Sequence, residues 1–185
     1  MSQDIALAVF RYSWGLLLLI TVVYSIIFED WPQAKASLIT NFIVTVPYLI
    51  VFGLYYLGGY AGTYGGNIGL RITGAVVLFC GMAVYISSHT SLQRSWSILA
   101  SVKKTHCLVN TGLYRYIRHP MYASMFFIIP GSGLLISNYL MIISTPIIGL
   151  IYYLRAKKEE ELLVKNLPGY EGYINETRMF IPGVL

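Results

Sequence analysis

Charge is what this chain has least of. Only 11% of its 185 residues are Asp, Glu, Lys or Arg, against 56% that are hydrophobic. A water-facing domain carries about 25% charged residues, so most of this surface is built for a medium other than water. Cysteine is scarce too: Cys80 lies in an apolar run and Cys107 in a polar segment. Two scattered thiols exclude a disulfide scaffold and a cysteine metal cluster. The chain has no basic helix or aromatic RNA-reading motif, which excludes nucleic acid as a partner. It also lacks a glycine-rich strand-to-helix turn of the soluble dinucleotide-binding kind. The first apolar run is longer than a signal-peptide core and has no small-residue cleavage site, so it reads as a retained helix.

What is present is a set of long uncharged stretches, over residues 12–28, 36–70, 72–93 and 121–154. A helix needs roughly 20 apolar residues to cross the hydrocarbon core of a bilayer. The first span is expected over Ile5 to Phe28, with Arg11 snorkelling to the interface. Glu29, Asp30, Trp31 and Pro32 then turn the chain, and a second span follows over Leu38 to Leu57, kinked at Pro47. A charge-free loop with five glycines covers residues 58–67, and a third span runs from Ile68 to Thr90. Gly74 and Gly81 within it permit close helix contact. The 121–154 stretch is interrupted by Ser137 and Asn138. It reads as a helical hairpin with arms of about 16 residues, short for full spans and suited to sit partly within protein. The expected fold is therefore an all-α integral membrane protein of about five transmembrane helices, the last two forming a hairpin. Residues 1–90 supply three helices, and residues 91–185 form a second, more polar half.

Ten of the 13 basic residues lie in 91–120 or after Leu154, and the 91–120 segment has no acid. The positive-inside rule puts both regions on the cytoplasmic face, with the N-terminus outside. Taken alone, this charge asymmetry requires nothing beyond topology.

Two segments on that face contain groups capable of chemistry. On the second, Arg155 and Glu159 are four residues apart and share one helix face, with Tyr152 a turn deeper. Spacing alone leaves open whether they form a site or an interfacial cluster of charges, while Lys157 and Lys158 read as contacts to lipid phosphates. On the first, Pro120 fits the opening turn of a helix, with His119 at its N-cap and Arg118 just outside. Such an end presents free N–H groups and a potential favourable to a carboxylate, although a histidine beside a proline is more often structural. His106 and Cys107 have no third ligand at suitable spacing, so a metal is rejected. His89 reads as a satisfied interfacial histidine.

Together these segments resemble the catalytic half of the isoprenylcysteine carboxyl methyltransferase family. The resemblance rests on an ordered series: His-x-Leu-Val at 106–109, Gly-x-Tyr at 112–114, Arg-His-Pro-x-Tyr at 118–122, Arg155 followed by Glu159-Glu160, and Tyr170 and Tyr173 before Phe180-Ile181-Pro182. It covers the chain from about Ser91 onward. The phospholipid N-methyltransferases share the Arg-His-Pro and Glu-Glu elements. The resemblance implies a cytoplasmic cofactor-binding region in which His106, Cys107, Leu108, Val109, Tyr114, His119, Pro120, Met121, Tyr122 and Glu159 hold S-adenosylmethionine. Leu99 falls where the family has one further cofactor contact, and Arg155 is the substrate-side residue. The implied partner is a lipophilic methyl acceptor within the membrane: a prenylated cysteine, a phospholipid or another lipid. Three spans precede the motifs, as in the family's short prokaryotic members, for which the membrane is the cell membrane. The tail is one residue shorter before Tyr170 than the family pattern.

Methyl transfer from a sulfonium to a carboxylate joins opposite charges and neutralises both, so a dry site favours it without a general base. An amine acceptor would have to lose a proton, for which Glu159 or Glu160 are the candidates. Two alternatives compete. A membrane reductase of the sterol type would bind NADPH, but usually has Asn-Pro where this chain has His119-Pro120. A small transporter would place ionisable residues deep in several spans or show an inverted repeat, and neither occurs.

Overall fold

The computed structural model describes residues 1–28, 53, 65, 67–92 and 108–183. Its described elements are α1 (Gln3–Phe28), α2 (Ile68–Leu92), a 3-10 turn (Gly112–Arg115), α3 (Pro120–Ile136), α4 (Tyr139–Asn166) and α5 (Tyr170–Glu176). Apart from Gly53, the expected second span with its Pro47 lies outside the described residues. So does most of the glycine loop.

Neither α1 nor α2 contains an internal proline, so the backbone of each satisfies itself as a lipid-embedded segment must. Asn67 opens α2, its side-chain oxygen accepting the Leu70 N–H at 2.8 Å. Among the described residues three helices are long and apolar enough to cross a membrane: Gln3–Tyr24, Ile68–Leu92 and Tyr139–Asn166. With α3 as a shorter apolar helix beside them, this is a multi-pass integral membrane protein.

Glycine sets the closest helix contact. A Cβ placed on Gly74 of α2 would run into the backbone of Gly131 and Leu135 of α3. One on Gly131 would lie 2.6 Å from the Leu78 nitrogen, and one on Gly81 would lie 2.8 Å from Ile128. The two backbones therefore approach as only small residues allow. On the other flank of α3, the Phe126 ring covers Gly149 of α4, where an added Cβ would meet it at 2.6 Å.

The α1 helix joins through polar links. Trp14 Nε1 donates to Ser132 Oγ of α3 at 3.1 Å. The Thr21 hydroxyl gives its proton to the Leu17 carbonyl, so at the 2.5 Å contact with Tyr85 it is the phenol that donates. Phe10, Leu17, Leu78, Met82, Ile128 and Leu135 fill the space between. On the outside, Leu18, Leu19, Val76, Phe79, Ile147 and Leu150 are all more than half exposed, as lipid-facing residues should be.

His89 is buried between helices, its ring 4.9 Å from that of Tyr24 and 4.4 Å from that of Tyr85. Its position near the end of α2 faces α1, and the Tyr85 carbonyl one turn back stands 3.3 Å from Nδ1.

The short α3 buries one face against its neighbours, with Ser124, Ile128, Ser132 and Leu135 wholly buried, while Phe126 and Phe127 stay exposed. It ends at Ser137, which takes the left-handed conformation (φ 56°) while the Asn138 N–H bonds back to the Gly133 carbonyl. Asn138 then caps α4, accepting from the Met141 N–H. A two-residue connection at Ser137-Asn138 thus returns the chain against α3. The α4 helix does not stop where the apolar residues do but continues past Leu154 to Asn166. Leu, Glu and Lys are strong helix formers and carry it on.

Candidate functional site

The site begins with a backbone pairing. Ile117 and Arg178 form an isolated parallel bridge. Around it the Arg118 N–H bonds to the Arg178 carbonyl at 2.8 Å, and the His119 N–H to the Met179 carbonyl at 3.0 Å. The tail thereby fixes the residues just ahead of α3. His119 occupies the N-cap of α3 and Pro120 its first turn.

From this base the side chains of α3 and α4 meet. Arg118 Nε donates to Glu160 Oε1 at 2.5 Å. Its Nη1 donates to the carbonyls of Thr177 at 2.6 Å and Ile174 at 3.2 Å, at the C-terminal end of α5. A guanidinium is suited to that end of a helix, where carbonyls lack partners. His119 Nε2 lies 3.1 Å from the same Glu160 oxygen, and its Nδ1 is 3.9 Å from Glu159 Oε2. The Tyr122 hydroxyl donates to Glu159 Oε2 at 2.9 Å and accepts from Arg155 Nε at 3.0 Å. Its ring lies parallel to that of His119, with centroids 5.4 Å apart, and stacks on Tyr152 at 5.1 Å.

A second layer supports the first. Gly112 opens the 3-10 turn with φ +60°, and a Cβ there would stand 3.0 Å from Ser91 Oγ at the end of α2, so both conformation and space favour glycine. The turn presents Tyr114, whose carbonyl accepts the Tyr173 hydroxyl at 2.5 Å. Burial pushes the Tyr173 phenol up to about 12, which keeps it a donor at physiological pH. Burial also raises the Tyr114 phenol well above its ordinary value, and the nearby Glu159 carboxylate adds to the shift. Leu108 packs on the cluster of Leu167, Tyr170 and Tyr173.

Residues 68–165 match the isoprenylcysteine carboxyl methyltransferase (ICMT) family. The chain belongs to that family. It shares its fold with the solved eukaryotic intramembrane Ras methyltransferase ICMT at a TM-score of 0.57 and 18% identity, over 85% of this chain and 55% of that one. A curated relative, the nickel-cobalt-cadmium resistance protein NccN of Alcaligenes xylosoxydans xylosoxydans, is 34% identical over 91 residues. That match covers 48% of this chain and 43% of the relative, so the chain spans less than half the length of that protein.

Within this isoprenylcysteine carboxyl methyltransferase family member, the residues expected at a site fall into three groups. Arg155, Tyr122 and Glu159 are hydrogen-bonded in series, and His119 stacks on the Tyr122 ring with Nδ1 3.9 Å from Glu159; Pro120 is buried and Met121 half-buried at the same helix start. Tyr114 stands behind them, close enough to Glu159 for that carboxylate to add to the raising of its phenol. Leu108 and the half-buried Val109 lead into the 3-10 turn, with Leu108 against the Tyr170 cluster. Leu99, His106 and Cys107 lie outside the described residues. Arg118, Glu160 and Tyr173, part of the motif series but not expected to hold the cofactor, emerge as supports of the site. The signal was available for Arg118: a cation in a segment without acids must find its partner elsewhere, and Glu160 is that partner.

Proposed function

We propose that this chain is a membrane-embedded methyltransferase that uses S-adenosylmethionine to methylate a lipophilic acceptor, first of all a prenylcysteine-type carboxylate. The observation that carries this reading is the meeting of Tyr122, Arg155, Glu159 and His119 at the charged end of two apolar helices. Family membership supplies the reaction class.

The residues present fit the cofactor. Glu159 keeps 25% of its side chain exposed and offers a carboxylate to a cationic ligand. The His119 side chain makes no capping bond at the start of α3, where Pro120 has no N–H to give and the following N–H groups suit a carboxylate. His119, Pro120, Met121, Tyr122 and Glu159 would hold S-adenosylmethionine, with Tyr114, Leu108 and Val109 behind them; Leu99, His106 and Cys107 belong to the same proposal. When bound, S-adenosylmethionine supplies an electrophilic methyl group on a sulfonium centre.

The protein's own part is binding, orientation and exclusion of water. Arg155 takes the acceptor carboxylate in a planar two-bond fork. The stack of His119, Tyr122 and Tyr152 walls the site with aromatic surface, and a dry site strengthens the attraction between the reacting charges. Glu160 already accepts from Arg118 and His119, and Glu159 from Tyr122. Glu160, so engaged, is a poor general base, which favours a carboxylate acceptor over an amine that must lose a proton.

The proposal extends to topology. Five crossings put the N-terminus outside and this site on the cytoplasmic face, with α3 and α4 as the closing hairpin. Incubating membranes containing the protein with methyl-labelled S-adenosylmethionine and separating lipid from peptide fractions tests the function. Base-labile label on an S-prenylated cysteine carboxylate is expected. Label confined to aminophospholipid would assign the amine acceptor instead.

A further inference from the structure

The Tyr122 hydroxyl stands between two opposite charges. A guanidinium can only donate and a carboxylate only accept, so the direction is fixed. Arg155 Nε donates to the phenol oxygen at 3.0 Å, and the phenol donates to Glu159 Oε2 at 2.9 Å. Arg155 and Glu159 lie one turn apart on α4, whereas Tyr122 comes from α3. The ring has little freedom to swing away, because His119 and Tyr152 stack on it. A charged donor on the phenol oxygen polarises its O–H and strengthens the bond the O–H makes. The hold on Glu159 therefore depends on what Arg155 is doing.

We infer that Tyr122 is a positioning residue that couples the acceptor side of the site, at Arg155, to the cofactor side, at Glu159. This inference rests on the methyltransferase reading above. An anion that draws the guanidinium toward itself weakens the donation to Tyr122, and the change is felt at the Glu159 carboxylate. By linkage, a ligand that engages Glu159 alters the affinity of Arg155 for its anion by the same factor.

A double-mutant cycle tests it. S-adenosylhomocysteine is titrated calorimetrically into the detergent-solubilised full chain as wild type, Arg155→Ala, Tyr122→Phe and the double variant. Phenylalanine keeps the stacked ring and removes only the hydroxyl. Residues in one hydrogen-bond chain are expected to be non-additive. Tyr122→Phe should weaken binding by about tenfold and Arg155→Ala by about threefold, with the double variant no weaker than Tyr122→Phe alone. A Tyr122→Phe chain with the wild-type melting temperature that has nonetheless lost its sensitivity to Arg155 is a result no purely structural role gives. Effects that multiply in the double variant, or equal affinity in all four chains, would overturn the coupling while leaving the functional reading intact. Failure of the unaltered chain to bind S-adenosylhomocysteine would overturn both.

Discussion

Arg118 and Glu160 form an ion pair across 2.5 Å with only 8% and 12% of their side chains exposed. The pair joins the start of α3 to α4, and through the Thr177 and Ile174 carbonyls it joins both to the end of α5. Removing one partner of a buried pair costs about 3–5 kcal/mol, less here because His119 Nε2 still reaches Glu160 at 3.1 Å. Arg118→Ala is expected to lower the melting temperature in detergent more than any substitution at the exposed Arg178. Arg118→Lys should recover only part of the loss, because an ammonium cannot reach Glu160 and the carbonyls together in the guanidinium's planar geometry. A melting curve of Arg118→Ala superposable on that of the wild type would remove the pair from the stability argument.

The glycine contact between α2 and α3 gives a second expectation. Gly74→Ala puts a methyl group into the Gly131 carbonyl and the Leu135 backbone, which cannot rotate away as a side chain could. Overpacking of this kind costs about 1–3 kcal/mol. Gly15→Ala is the control, since no described residue lies within 4 Å of its added Cβ and alanine is the better helix former. Paired melting measurements should show Gly74→Ala destabilised and Gly15→Ala unchanged or slightly stabilised.

The sequence is most legible where one physical rule acts over many residues. Long uncharged stretches report helices directly, and α1 and α2 begin and end within a few residues of the spans read from hydropathy. Ser137-Asn138 reports the break because asparagine favours a helix N-cap over a helix interior, and Asn138 caps α4. The four-residue spacing of Arg155 and Glu159 places them on one face in any helix, and Pro120, directly after the polar Arg118-His119, fits a first turn, whereas Pro130 and Pro146 stand inside α3 and α4. What stayed hidden depends on partners far away in sequence. Nothing local in Gly131 shows that it faces Gly74, and the Ile117–Arg178 bridge has no alternating pattern to announce it. The spacing of Arg155 and Glu159 likewise does not disclose that a phenol from another helix stands between them. The burial of His89 is hidden for the same reason: it depends on Tyr24, which belongs to α1.

Ligand linkage provides a direct measure of cofactor binding. A ligand that binds only the folded state stabilises it by RT ln(1 + [L]/Kd), about 2.7 kcal/mol at a hundredfold excess over Kd. S-adenosylhomocysteine at that excess should raise the melting temperature of the solubilised protein by several degrees, and NADPH should leave it unchanged. The reverse pattern would turn the assignment toward a reductase.

The last expectation separates the two charged residues of α4. Glu159 accepts from Tyr122, lies 3.9 Å from His119 and stays partly open, as a group facing a cationic cofactor should. Arg155 lies one turn nearer the apolar run, where a lipid-borne carboxylate would arrive. A hydrogen bond to a charged group contributes about 1.5–3 kcal/mol, so Glu159→Gln should weaken S-adenosylhomocysteine binding by at least about tenfold. Arg155→Ala should reduce methyl transfer far more, yet move cofactor affinity only by the roughly threefold passed through Tyr122. Arg155→Lys should also transfer poorly, since an ammonium does not reproduce the two-bond fork. Lys158→Ala is the control on the same helix end. Calorimetry of these variants beside a turnover assay decides the matter. Loss of cofactor binding in Arg155→Ala with retention in Glu159→Gln would exchange the two roles and place the acceptor against Glu159, where a cationic headgroup rather than a carboxylate would be the chemistry to look for.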